Sequence, residues 1–126
     1  MTPNSFLLLA ALFALVAGVS HVLLGVARVT GPLVHGTEVD PLSRWTAYIG
    51  WHMTSLTLFA SAGAYAYSAA RPGTAPLVAF LDLLMAVFAL FEAGIATRHK
   101  LRPLLMPRWI LLTLAALFGG IGLLWG

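Results

Sequence analysis

The sequence predicts an all-α integral membrane protein, a four-transmembrane-helix bundle in a single domain spanning residues 1–126. Two observations carry that expectation. Of the 126 residues, 60% are hydrophobic and only 9% are charged, an apolar excess that a soluble fold could not hide. The apolar residues also gather into four runs, each near the ~20 residues that a bilayer demands. None of the runs alternates as a barrel strand would. Helices, which satisfy their own backbone hydrogen bonds in hydrocarbon, are therefore the expected element.

Span 1 is expected over 6–27, with Gly31-Pro32 as its stop. No Lys or Arg precedes Phe6, whereas a secretory signal would carry a basic leader, so span 1 is expected to be retained. Span 2 is expected over 45–67. Asp40 is placed to cap it and Pro41 to be the first helical residue, where a missing N–H is harmless. Arg71-Pro72-Gly73-Thr74 reads as a short turn, followed by span 3 over 75–96. Arg102-Pro103 and Pro107 separate it from span 4, over 107–125.

The charge distribution suggests an orientation. Arg28 and Arg44 flank the first connection, and Arg98, Lys100, Arg102 and Arg108 crowd the third, against Arg71 alone on the other side. The positive-inside rule then places the basic end in the cytoplasm and both termini outside, as in a bacterial inner (plasma) membrane. Trp45, Tyr48, Trp51 and Trp109 at that end read as an interfacial aromatic belt. The net charge of +3 is accounted for by these anchors, so nucleic acid is not an expected partner. The bilayer is, and the Gly and Ala stripes add a homo-oligomer or a larger membrane complex. With no cysteine, disulfides, thiolate metal sites and cysteine nucleophiles are excluded.

Four ionisable residues lie inside the spans: His21, His52, Asp82 and Glu92. Such groups are costly at membrane depth and mark candidate sites. At 1.5 Å per residue, His21 lies about 10 Å from Arg28, His52 about 12 Å from Arg44 and Glu92 about 9 Å from Arg98. Three helices thus present two imidazoles and a carboxylate at one level, the ligand set of many non-haem iron and zinc sites. His21, His52 and Glu92 are therefore the candidate metal ligands, for a transition-metal ion. A bis-His haem is the weaker alternative, since nothing in the spacing selects it. The plainer alternative is a structural hydrogen bond or ion pair between helices.

The helical stripes expected to face inward are Ala14, Gly18, His21, Gly25 and Arg28 in span 1 and His52, Ser55, Phe59 and Gly63 in span 2. In span 3 the stripe is Phe88, Glu92, Ala96 and His99, and in span 4 it is Trp109, Thr113, Ala116 and Gly120. Asp82 sits towards the opposite face, level with Ser61 and Tyr65. It is expected either to hydrogen-bond a hydroxyl of span 2 or to start a proton route that ends about 15 Å away at Glu92. The 34–40 loop, with His35, Glu38 and Asp40, is a candidate surface cation site, although Asp40 is also a cap.

The leading functional expectation is a module that binds or transports a cation, a proton or a small ligand at His21, His52, Glu92 and Asp82. The alternatives are an accessory subunit whose polar residues hold helices together, and a membrane enzyme acting on a lipid-soluble substrate. Nothing in the sequence decides whether the protein is an enzyme. There is no phosphate-binding glycine loop and no Gly-x-Ser-x-Gly elbow. Span 1 also lacks the central Glu expected of a small multidrug exchanger.

Overall fold

The structure is a computed structural model in which residues 4–36, 38–101 and 107–125 are described. It is helical throughout these residues: α1 (Ser5–Gly25), a π-helical turn (Val26–Thr30), α2 (Gly31–His35), α3 (Pro41–Ala70), α4 (Ala75–Arg98) and α5 (Arg108–Trp125). Three continuous helical stretches are long and apolar enough to cross a membrane: Ser5–His35, Ala75–Arg98 and Arg108–Trp125. α3 has the length, but its hydroxyls and His52 dilute its apolar character, and it is not among the three. The chain therefore reads as a membrane protein with three such helices where the sequence suggested four.

Local chemistry explains the boundaries. The Asn4 side chain accepts from the amides of Phe6 and Leu7 and caps α1. Gly31-Pro32 does not stop the helix as expected. Pro32 lacks an N–H and its ring would strike the carbonyl four residues back, which normally breaks an α-helix. The chain inserts a π turn instead, with the Gly31 amide bonded to the Val26 carbonyl. The wider turn lets the proline in, and helix resumes to His35. Asp40 caps α3 through the Ser43 amide at 3.0 Å, with Pro41 first in the helix, as the sequence indicates. Hydrogen bonds from Ser43 hold the Asp40 carboxyl below the ordinary carboxylate range. Asp40 is thus occupied, which weakens the 34–40 loop as a cation site; Thr37 in that loop lies outside the described residues. The Arg71–Thr74 turn uses Gly73 at φ 80°. The Arg102-Pro103 break lies outside the described residues.

The helices alternate in direction. α1 packs along both α3 and α5, α5 packs along α4, and α3 meets α4 more sparsely. Asn4 fastens one end: its amide donates to the Ala69 carbonyl of α3 and its side-chain Nδ2 to the Gly122 carbonyl of α5, each at 2.9 Å. α1 contributes small residues to the core, with Ala10, Ala14, Ala17, Gly18 and Gly25 buried. Leu58, Tyr65, Met85 and Leu112, all fully buried, fill the space opposite. Close approach over small residues is how helices gain contact where lipid removes the hydrophobic incentive.

Two expected stripes are rotated. α3 buries Ser55, Leu58, Ala62, Tyr65 and Ala69, a series that extends back to Trp51 and leaves His52, Phe59 and Gly63 on its outer side. α5 buries Leu112, Ala115, Gly119 and Gly122 and leaves Thr113 outside, its hydroxyl bonded back to the Trp109 carbonyl at 2.8 Å. Gly119 decides the face on α5. A Cβ there would run into the Asp82 carboxylate and the Tyr65 ring, so only glycine fits.

Candidate functional site

All four long helices meet in one polar layer at the basic end. His21 stands on the buried face of α1 because its neighbours on that stripe, Ala14, Gly18 and Gly25, are small enough to bring α3 and α5 close. Trp51 of α3 lies flat against the imidazole, ring centroids 3.8 Å apart and 16° from parallel. It can do so because residue 25 is glycine; a Cβ at that position would overlap the indole. Glu92 lies on the inward side of α4, one turn before buried Ala96.

Arg108, the first residue of α5, reaches into this layer and joins it. One terminal guanidinium nitrogen is 2.5 Å from Glu92 Oε1, and the other meets His21 Nδ1. On the far side of the ring, His21 Nε2 lies 3.2 Å from the Trp51 carbonyl. A guanidinium only donates, and a carbonyl only accepts. The imidazole that satisfies both is neutral, with a lone pair on Nδ1 towards Arg108 and its proton on Nε2 towards Trp51, an assignment that follows from the network. Arg108–Glu92 is the single ion pair among the described residues. Within that set Arg108 Nε and Glu92 Oε2 are buried without hydrogen-bond partners.

These groups form one wall of a pocket of about 260 Å³. Leu24, Val29 and Pro107 line its apolar part, Ser20 and Gly25 its α1 side, and Arg28 its rim. The π turn places Arg28 and Val29 there, in keeping with the frequency of such turns at functional sites.

The expected His21–His52–Glu92 metal centre does not form. His52 is exposed on the outer side of α3, edge-on to Tyr48 at 4.4 Å and 69°. Arg108 fills the place between His21 and Glu92, and a permanent cation beside both would repel a metal ion. Among the described residues no group of three His, Cys, Asp or Glu side chains could hold a metal. A haem held between His21 and His52 fails for the same reason, since the two imidazoles face different ways.

Asp82 meets a hydroxyl at its own level, as the sequence indicates. The Tyr65 hydroxyl donates to Asp82 Oδ1 at 2.6 Å, tying α3 to α4 beneath Gly119. Tyr65 is fully buried, so the carboxylate satisfies a phenol that would otherwise be orphaned. The turns between this pair and the His21 layer carry Leu58 on α3, Met85 on α4 and Leu112 and Ala115 on α5, all fully buried. Two buried hydroxyls, Ser55 and Ser61 of α3, lie at these levels as well.

Two site residues escaped the sequence, Arg108 and Trp51. Both look like interfacial anchors, since one begins a span and the other belongs to an aromatic cluster. The available signal was the level of Glu92 itself: a carboxylate about 9 Å inside the boundary wants a cation, and a long arginine side chain at a helix start has the reach.

A scan against family models, a search of curated proteins and a search of solved structures each return no match to this chain.

Proposed function

We propose that this protein is a small-ligand-binding module of the membrane. All four long helices cross the bilayer, and the pocket beside His21, Glu92 and Arg108 faces the cytoplasmic leaflet. The observation that carries this reading is the buried guanidinium at the wall of a pocket open to one side. Its two terminal nitrogens meet Glu92 and His21. A rigid polar wall facing an apolar slot is the usual anatomy of a ligand site. For α3, crossing is supported by three hydroxyls that are satisfied within the helix. Thr54 donates to the Gly50 carbonyl, Ser55 to that of Trp51 and Thr57 to that of Met53, at 3.0, 3.2 and 2.9 Å.

Of the cargoes expected from sequence, a small ligand fits best. Arg108 opposes a cation. An acid–base enzyme built on His21 and Glu92 is disfavoured as well, because both imidazole nitrogens are engaged. A structural subunit is the second reading, favoured by the fact that each contact of the polar layer also fastens two helices.

Ser20→Phe separates the two readings, since it fills the pocket from α1 without touching the ionic contacts. Thermal unfolding of the purified protein should be raised by at least one class in a panel of anionic, cationic, zwitterionic and neutral small molecules. The variant should fold and lose that response. A wild-type protein stabilised by none of them, or a variant that responds equally, would rule out the pocket as a binding site.

A further inference from the structure

We infer that the pocket holds the acidic head of a single-chain amphiphile from the bilayer, a carboxylate or phosphate monoester whose tail leaves beside Leu24 and Val29. This deepens the binding reading above and rests on it. Three observations point to an anion. Glu92 neutralises Arg108 within the wall, so the pocket keeps the charge of Arg28, which has no ion pair among the described residues. The wall also contains Arg108, the first residue of an 18-residue helix, and Pro107 just before it. Pro107 has no N–H and its carbonyl accepts from the Ile110 and Leu111 amides, each at 3.2 Å, and the aligned peptides of the helix place about half a positive charge at this end. Arg108 Nε, a further donor, is unpartnered among the described residues, as is the acceptor Glu92 Oε2 of the same wall.

Two observations point to an amphiphile rather than a soluble anion. The rest of the lining is apolar, and Leu24 and Val29 at the mouth are 39% and 40% exposed on a helix apolar enough to cross the bilayer. The volume, about 260 Å³, falls just short of the roughly 300–1,000 Å³ that encloses a drug-sized molecule. It suits a head group and the first carbons of a chain, with the remainder in lipid.

The test is calorimetric titration of the full chain in a non-ionic detergent with dodecanoate, dodecyl phosphate, dodecanol, dodecylammonium and inorganic phosphate. Dodecanoate or dodecyl phosphate should bind saturably and about tenfold or more tighter than dodecanol. Arg28→Gln should lower that affinity by about tenfold, Arg28→Lys by less, and Ser20→Phe should abolish it. Arg28 is exposed at the rim, so its variants should fold even where Arg108→Gln does not. Equal binding of dodecanol or dodecylammonium, abolished by Ser20→Phe, would overturn the acidic head while leaving the pocket intact. Binding of inorganic phosphate as tight as that of the amphiphile would overturn the bilayer source. An Arg28→Gln protein with undiminished affinity would overturn the proposed site.

Discussion

Arg108 concentrates the energetics of the polar layer in one side chain. Its guanidinium and the Glu92 carboxylate are 20% and 12% exposed, so each charge depends on the other for compensation. Removing one partner leaves a buried charge alone, which costs about 3 kcal/mol or more. Arg108→Gln and Glu92→Gln should each destabilise by roughly that amount. The double variant should be more stable than the sum of the two losses predicts, with a coupling of about 1–3 kcal/mol. Chemical unfolding in detergent micelles measures the cycle, and strictly additive losses would show that the pair does not interact. Trp51 and Gly25 make the same point in packing. The indole supports the imidazole only because the facing residue has no side chain, a fit that neither residue reveals alone.

At the scale of the element, the helix ends divide into those written plainly in the chain and those that carry strain. Asp40-Pro41 at the start of α3 behaves as its composition implies. The end of α4 does not. Its last turn closes with the Leu101 amide on the Ala96 carbonyl and the Lys100 amide on that of Thr97. This places Lys100 at φ 52°, in the left-handed region normally filled by glycine. A side chain there costs about 1–2 kcal/mol. Part of that gain would be offset by glycine's greater freedom in the unfolded chain. Lys100→Gly should therefore raise stability by up to about 1 kcal/mol, read as a higher unfolding midpoint. A lowered midpoint would mean that the lysine side chain contributes more than its backbone loses. The π turn is the contrasting case: Gly31-Pro32 reads as a stop, and the helix absorbs it by changing its hydrogen-bond spacing.

At the scale of the molecule, two polar layers lie at different levels, and the buried core between them is apolar apart from Ser55 and Ser61. Asn4 fastens α1, α3 and α5 at the end nearer Tyr65 and Asp82, and Arg108 fastens α1, α4 and α5 at the other. If all four long helices cross, cysteines placed singly at Ser5 and Gly73 should react with an impermeant reagent on intact cells. One at Glu38 should react only after permeabilisation, as the basic-end-in orientation requires. The chain has no cysteine of its own to interfere. Reaction of Glu38 and Gly73 positions from the same side would mean that α3 does not cross.

The sequence by itself determined the helices, their approximate ends apart from the Gly31-Pro32 stop, and the levels of their polar residues, because level is linear in residue number at 1.5 Å per step. His21 and Glu92 do share a layer, and Asp82 does meet a hydroxyl of α3. Only the tertiary structure decided which side of each helix turns inward. One residue along a helix is a rotation of about 100°, so the choice between Trp51 and His52 rests on which neighbour offers a gap. Gly25 offers one to Trp51, and His52 is left outside. The long arm of Arg108 was decided in the same way. Its place in the chain marks a boundary, but the unpaired carboxylate on the next helix draws its charge into the layer.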